Sequence, residues 1–186
     1  MVACLGGENY GGCEVWALMR TPGAKVIVFV SALILEACGL VHRAPVVAVG
    51  RPLPAMTFAT LDGSTMTLKP APGRVTFINI FATWCPPCKA ETPDLVAFAR
   101  AEASKGVDVV GIDRQESPGL VEAFRAQYHL AFPTMIDTGR TTQLLGIRVI
   151  PHTFVVDRNG IVRASVSGPM TRAQMDDLAA QAEAGT

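Results

Sequence analysis

The sequence predicts an α/β fold in which a central mixed β-sheet is flanked by helices on both faces. From residue 74 onward, apolar β-rich segments alternate with segments of helical periodicity, which is typical of parallel strands joined by helices. The pair Asn159-Gly160 separates the last two apolar segments and therefore indicates an antiparallel hairpin. The pair Asp62-Gly63 lies ahead of the alternating region and predicts an N-terminal β-hairpin extension.

The first predicted elements lead to a helix that contains a proline. Two short β-prone runs, at 56–60 and 65–68, form the N-terminal hairpin. The run at 74–81 is apolar on both faces, as in a strand buried within a parallel sheet, and we expect it at the centre of the sheet. Apolar residues then recur at three- and four-residue steps over 86–104, which predicts a helix that Pro93 should kink.

The later elements follow from turn and capping signals as much as from periodicity. No strand is assigned to the segment 132–136, which precedes a predicted short helix. The predicted elements are a strand at 107–113, a helix from the N-cap Ser117 and Pro118 to about residue 128, a short helix at 141–145, strands at 153–157 and 161–167, and a closing helix from the capping box Thr171 and Gln174 to about residue 182.

Composition limits the kinds of partner. The chain has 186 residues, of which 49% are hydrophobic and 17% charged, so it contains ample material for one core. Its formal net charge is zero, and lysine and arginine are scattered, so the basic surface of a nucleic-acid-binding protein is missing. We therefore expect no nucleic-acid partner.

The N-terminal third has the layout of an export signal. We expect residues 1–18 to be a mis-assigned upstream leader, 19–41 a signal peptide with a lipobox or a membrane anchor, 42–54 a tether, and 55–186 the folded domain. Cys38 is a candidate for lipidation, and an uncleaved anchor or simple cleavage are the alternatives. Each alternative places the domain outside the cytoplasm, in the bacterial periplasm, tethered to the membrane or secreted.

Two cysteines at the start of the predicted helix indicate redox chemistry. Cys85 and Cys88 are three residues apart, which on a helix brings side chains to about 5–6 Å and within reach of a disulfide. A cysteine in the first helical turn also faces unpaired N–H groups and the positive end of the helix dipole. This favours the thiolate, which is the reactive form.

The segment from Trp84 to Cys88, the kinking Pro93 and Val149-Ile150-Pro151 before a late strand resemble the thioredoxin fold. The hairpin and the leader are more similar to the TlpA/ResA-type family of membrane-anchored thiol-disulfide oxidoreductases. The resemblance covers roughly residues 52–183. It implies reduction of exported disulfide-containing proteins such as apocytochrome c, a membrane thiol electron donor, and no cofactor besides the redox-active disulfide.

The same resemblance implies roles for individual residues. Cys85 would be the more exposed nucleophile, and Cys88 the more buried, resolving thiol. The Ile150–Pro151 bond would be cis, leaving the Ile150 backbone free to pair with an extended substrate. Glu91 would carry the proton of Cys88 or raise thiol pKa values by like-charge repulsion; the alternative is a solvated helix residue.

Five further positions bear on the predicted substrate groove. Asn79 stands where cytoplasmic thioredoxins have a buried aspartate, and Trp84 either shields the cysteines or belongs to the core. The intervening Pro86-Pro87 pair alters the reduction potential. His152 replaces the family's usual threonine and is either a surface residue or a titratable group that tunes Cys85 or the groove.

Other functions fit the sequence less well. A Cys-X-X-Cys pair is half of a zinc site, but no second pair accompanies it, so a metal-binding module is disfavoured. A peroxiredoxin-type peroxidase would need threonine three residues before its cysteine, where this chain has Ala82. A non-enzymatic binding module would be expected to lose one cysteine. Between reductase, oxidase and isomerase the sequence leaves the direction of electron flow open.

Overall fold

The protein is described by a computed structural model that covers residues 47–139 and 145–185. Its strands are β1 Met56–Thr60, β2 Thr65–Leu68, β3 Val75–Phe81, β4 Val107–Arg114, β5 Thr134–Asp137, β6 His152–Val156 and β7 Val162–Ser167. Within the described residues they form one sheet of seven strands in the order β2-β1-β5-β4-β3-β6-β7. The contacts β3–β4 and β4–β5 are parallel and the others are antiparallel, which confirms the predicted mixed sheet and both hairpins.

Within the described residues, three helices follow the predicted order. They are α1 Pro86–Glu102, α2 Pro118–Tyr128 and α3 Arg172–Ala184, and a 3₁₀ turn at Ala103–Lys105 extends α1. The predicted capping box of α3 is present, with Thr171 and Gln174 bonded to each other's backbone N–H groups. Ser117 occupies the N-cap position of α2, but its side chain makes no capping hydrogen bond there.

The alternation of side chains along β3 divides the interior into two cores. Phe77 points toward a core that all three helices share, with Phe98 of α1, Phe124 of α2 and Met175 of α3. Ile78 and Ile80 point to the opposite face. There the sheet is covered by four apolar side chains from outside the strands and helices: Val47, Leu53, Leu145 and Ile147.

Two strand predictions are wrong. The segment 134–137 is a strand, β5, which pairs with β4 on one side and β1 on the other. It was missed because it is only four residues long and its partners are distant in sequence. As β5 and the N-terminal hairpin add three strands beside β4, the middle of the sheet is β4 and not β3.

Residues 47–54 belong to the domain and are not a tether. The Gly50 N–H donates to the Val162 carbonyl at 2.8 Å, and the Val162 N–H donates to the Arg51 carbonyl at 2.9 Å. Leu53 is 9% exposed, and its N–H donates to the Gly160 carbonyl at 2.9 Å. The prediction of a tether is wrong for these residues because apolar side chains and backbone bonds hold them to the edge of the sheet next to β7.

Several predictions concern residues that the structure does not describe. The predicted leader, the signal or anchor segment with Cys38, and residues 42–46 of the predicted tether lie outside the described residues. The short helix predicted at 141–145 also lies outside them, apart from Leu145. Over residues 47–139 and 145–185, none of the helices combines the length and apolar character needed to cross a membrane.

Candidate active site

The two cysteines lie at the junction between β3 and α1. Cys85 is the N-cap residue of α1, and Pro86 follows at the first helical position, where its missing N–H costs no hydrogen bond. The Cys85 N–H donates to the Ala82 carbonyl at 3.2 Å, and the Lys89 N–H donates to the Cys85 carbonyl at 3.1 Å. The sulfur of Cys85 accepts a hydrogen bond from the Cys88 N–H at 3.3 Å. One unpaired donor of the helix start is therefore aimed at this sulfur, which stabilises its thiolate after reduction.

Cys85 and Cys88 form a disulfide, with 5.3 Å between their Cα atoms. Both residues are only 2% exposed, so the expectation that Cys85 is the more exposed is wrong for this oxidised form. The reason is the loop before β6, whose Ile150 carbonyl oxygen lies 3.7 Å from the Cys85 sulfur. This loop therefore lies against the Cys85 sulfur.

The loop that covers Cys85 contains a cis peptide bond between Ile150 and Pro151, as the family resemblance implies. The Pro151 carbonyl accepts a hydrogen bond from the Gly168 N–H at 2.8 Å, which ties the loop to the end of β7. Ile150 remains partly exposed, and its neighbour Val149 is 55% exposed. The loop thus presents backbone and apolar surface at the same edge of the sheet as the disulfide.

The residues that flank Cys85 in the sequence add further exposed apolar side chains. Trp84 is 61% exposed, so its interpretation as a core residue is wrong. Pro86 and Pro87 are exposed as well, at the first two positions of α1. Since large apolar side chains are usually exposed singly, a group of them beside a reactive pair indicates a surface for a partner.

Glu91 is buried one turn after Cys88. It is 4% exposed, which rules out the alternative of a solvated helix residue. Its Oε1 accepts a hydrogen bond from the Met170 N–H at 3.2 Å, and its Oε2 accepts one from Asn79 Nδ2 at 3.4 Å. Burial raises the pKa of Glu91 to about 7 despite these two bonds. The carboxyl group can therefore both hold and release a proton near neutral pH.

Asn79 links this carboxyl group to β6. Its Nδ2 also donates to Thr153 Oγ1 at 2.9 Å, and all three side chains are at most 4% exposed. An amide here supplies a donor to Glu91, whereas an aspartate would add a second negative charge. Thr153 and the Met170 N–H were missed by sequence reasoning. The alternation of β6 puts Thr153 on the helix-covered face, which is the signal that a polar residue there needs a buried partner.

His152 is buried at the start of β6. It is 8% exposed, so its interpretation as a surface residue is wrong. Its ring nitrogens lie 3.0 Å from Ser165 Oγ and 3.1 Å from Ser167 Oγ, and its ring packs 4.7 Å from that of Phe154. Burial lowers the pKa of His152. These contacts are with β6 and β7, and a tuning role toward Cys85 stays a prediction.

In the part of the chain that the structure describes, no group of three or more histidine, cysteine, aspartate and glutamate side chains is arranged to hold a metal ion.

Comparisons with known proteins agree with this geometry. The Redoxin family model matches residues 48–181. The thiol-disulfide oxidoreductase ResA of Bacillus thuringiensis subsp. konkukian is 31% identical over 130 residues, which are 69% of this chain and 75% of the relative. The chain belongs to the Redoxin family and to its TlpA/ResA-like members.

Solved structures show the same fold. A thiol:disulfide interchange protein of the thioredoxin family from Chlorobium tepidum TLS aligns with a TM-score of 0.65 at 31% identity, over 73% of this chain and 97% of that protein. A secreted thiol-disulfide isomerase from Corynebacterium glutamicum aligns with a TM-score of 0.64 at 26% identity, over 70% and 84% of the two chains. The protein is therefore a thiol-disulfide oxidoreductase of thioredoxin-like fold, with Cys85 and Cys88 as its Cys-X-X-Cys pair.

Proposed function

We propose that the protein works outside the cytoplasm as a reductase, passing two electrons from a membrane thiol donor to disulfides of exported proteins, apocytochrome c among them. The observation that carries the proposal is the buried carboxyl group of Glu91 one turn after the disulfide. A strong oxidant of this fold owes its potential to stabilisation of its reduced form. A carboxyl group, which becomes an anion above pH 7, instead disfavours a nearby thiolate and makes the dithiol a better electron donor.

The reaction proceeds by dithiol-disulfide exchange. The Cys85 thiolate attacks one sulfur of the substrate disulfide, and the other substrate sulfur leaves as a thiolate that takes up a proton. Cys88 then loses its proton and attacks the Cys85 sulfur, so that the Cys85–Cys88 disulfide forms and the second substrate sulfur leaves and is protonated. The substrate gains two electrons and two protons, and the membrane donor's dithiol returns the protein to its reduced form.

Glu91 has the position and acid strength to accept the proton of Cys88. It follows Cys88 by three residues on α1, which places the two side chains on the same helix face. A base with a pKa of about 7 is well matched to proton transfer at neutral pH. In the reverse half-reaction, when the donor reduces the disulfide, the same carboxyl group returns the proton.

The substrate would bind as an extended segment. The Ile150 carbonyl oxygen lies next to the Cys85 sulfur. The exposed side chains of Val149 and Trp84 would supply apolar contacts to the bound segment. Main-chain pairing gives affinity with little sequence selectivity, which suits an enzyme that acts on an unfolded or flexible disulfide-containing segment.

The site of action is proposed from the leader. Residues 19–41 have the order of a signal peptide, with Cys38 as the lipidation candidate. The similarity to a secreted isomerase supports export as well. Labelling of cells with a fatty-acid probe, with Cys38→Ala as the control, distinguishes a lipid anchor from a spanning anchor or a cleaved signal.

An oxidase or isomerase is the second candidate. It is favoured by the thiolate-stabilising N–H of Cys88 at the Cys85 sulfur, since stabilisation of the reduced form makes the disulfide more oxidising. The name of the Corynebacterium glutamicum protein also points in this direction.

The reduction potential of Cys85/Cys88 decides between these functions. We expect equilibration of the full chain with glutathione or dithiothreitol buffers to give a reduction potential of about −270 mV, as in reducing members of the fold. A reduction potential of about −120 mV would instead establish a disulfide donor. The substrate is then identified with Cys88→Ser, which leaves the mixed disulfide on Cys85 unresolved.

A further inference from the structure

A second carboxyl group, that of Glu116, is bonded to the loop that leads into Cys85. The Thr83 N–H donates to Glu116 Oε2 at 2.5 Å, and the Thr83 hydroxyl donates to Glu116 Oε1 at 2.6 Å. Both carboxylate oxygens are therefore bonded to one residue, which lies two positions before Cys85. Two hydrogen bonds to an ionised acceptor are stronger and more directional than neutral ones.

Glu116 is itself held in place by the turn after β4. The Glu116 N–H donates to Asp113 Oδ1 at 2.9 Å, and Asp113 is fully buried at the end of β4, opposite Phe81 of β3. Between them Gln115 adopts a φ of 69°, a conformation that residues other than glycine rarely take. Its side chain crosses Gly139 so closely that a Cβ there would lie 1.7 Å from Gln115 Nε2. The backbone of Glu116 is thus fixed by a hydrogen bond across the turn.

The carboxyl groups of Asp113 and Glu116 differ in how readily they ionise. Burial and the neighbouring Glu116 together raise the pKa of Asp113 to about 7. Burial also opposes ionisation of Glu116, but the hydrogen bonds from Thr83 and Asp113 and the charge of Lys89 outweigh it and lower its pKa. At neutral pH Glu116 is therefore the ionised partner, which is the state that accepts both bonds from Thr83.

We propose that Glu116 is a positioning residue for Cys85. By holding Thr83 it fixes the loop between β3 and α1, and it thereby keeps the Cys85 sulfur within hydrogen-bonding distance of the Cys88 N–H. Only residues 82–84 separate β3 from Cys85, so a shift of Thr83 passes directly to the sulfur. Trp84, between them, is 61% exposed and contributes little packing that would hold the loop. The proposal rests on the exchange chemistry of the family and holds for either direction of electron flow.

The test uses the full chain with its disulfide reduced, and it separates position from charge. Thr83→Val removes the hydroxyl bond and leaves the charge of Glu116 in place. We expect the pKa of the Cys85 thiol to rise and its alkylation by iodoacetamide at pH 7 to slow by about 10-fold, the effect of losing one bond to a charged group. Thr83→Ser, which keeps the hydroxyl, restores most of the wild-type rate.

Glu116→Gln provides the second arm. If Glu116 acted only through its charge, its removal would lower the pKa of the Cys85 thiol and speed alkylation. Positioning predicts the opposite, because glutamine has an NH₂ donor in place of one of the two carboxylate oxygens that accept the bonds from Thr83. The matched control is Glu122→Gln, the same charge change at an exposed position of α2, which should leave both readouts unchanged.

The outcomes distinguish this inference from the proposed function. A wild-type thiol pKa and alkylation rate in Thr83→Val, or a lowered thiol pKa in Glu116→Gln, overturns the positioning role. Alkylation requires no substrate protein and no electron donor, so it tests the role even if the reduction potential refutes the reductase. If Glu116→Gln does not fold, which far-ultraviolet circular dichroism detects, the comparison of Thr83→Val with Thr83→Ser still decides.

Discussion

Burial changes the acid strength of Glu91 because the protein replaces its hydration only in part. In water a carboxylate is fully solvated, but here its described hydrogen bonds are one of 3.2 Å from the Met170 N–H and one of 3.4 Å from Asn79. These distances are at or beyond the long end of the usual range, so both bonds are weak. The neutral acid is therefore favoured, which raises the pKa from 4.5 to about 7.

The first prediction is that Glu91 makes the folded state less stable as the pH rises. Because its pKa is raised on folding, its contribution is fully present below pH 4.5 and is lost as the pH rises to about 7. At about 1.4 kcal/mol per pKa unit, the loss is about 3 kcal/mol. We expect urea unfolding of the oxidised protein to show a free energy of unfolding that falls as the pH rises. In Glu91→Gln this fall should be smaller by the same amount.

Part of the pH-dependent loss of stability should remain in the Glu91→Gln variant. The pKa of Asp113 is raised from 3.8 to about 7, so this group destabilises the fold in a similar pH window. Glu122→Gln, on the exposed face of α2, should show the wild-type pH dependence. A Glu91→Gln variant that loses stability with pH as steeply as the wild type would refute the assignment of this titration to Glu91.

At the scale of elements, β4 depends on a residue without a side chain. A Cβ on Gly111 would lie 3.2 Å from Phe81 Cε1, 3.3 Å from Phe132 Cε2 and 3.4 Å from Thr134 Oγ1. Two of these atoms belong to aromatic rings that are at least 93% buried, so they have little room to move. The close approach of these side chains is what requires glycine, since Gly111 has no unusual φ.

The second prediction compares two glycines with opposite outcomes. Gly111→Ala should destabilise the protein by about 1–3 kcal/mol, because it overpacks the interior beside the last residue of β3. Gly119→Ala, in the first turn of α2, meets no atom within 4 Å and should stabilise it by about 0.5 kcal/mol through helix propensity. Urea unfolding of the oxidised proteins measures both, and equal signs would contradict the packing argument.

Elements with local signals could be predicted from the sequence, and those defined by distant partners could not. The helix start at Cys85 and the capping box at Thr171 depend on residues within one turn, and both are present. The strand Thr134–Asp137 depends on β1 and β4, which lie far away in the chain. Its four residues carry too short a pattern for period-2 alternation to be recognised.

The same distinction applies to the site. The redox pair follows from a three-residue spacing, and the resemblance supplies Glu91 and Pro151 from nearby motifs. The hydrogen bonds from Thr83 to Glu116 join residues 33 apart and depend on the unusual φ of Gln115. No local pattern encodes that contact, because a glutamate after a strand is more often a solvated residue.

At the scale of the whole molecule, the sheet needs a cover on both faces. The three helices cover one face, and the segment 47–53 covers part of the other. Val47 is 4% exposed and Leu53 is 9% exposed, whereas Val49 between them is 58% exposed. The segment is therefore anchored by a buried side chain at each end, and an isolated antiparallel bridge between Pro52 and Ile161 marks where it meets the sheet.

The third prediction is that this segment contributes to folding as part of the domain. Leu53→Ala should lower the free energy of unfolding by about 2–4 kcal/mol, because it leaves a cavity against the second core. Val49→Ala removes apolar atoms that are already in water and should change it by less than about 0.5 kcal/mol. Urea unfolding of the two variants makes the comparison. If 47–53 were a tether, the two substitutions would have equally small effects. A large loss for Leu53→Ala alone therefore places the start of the folded domain at or before residue 53, ahead of the predicted boundary at residue 55.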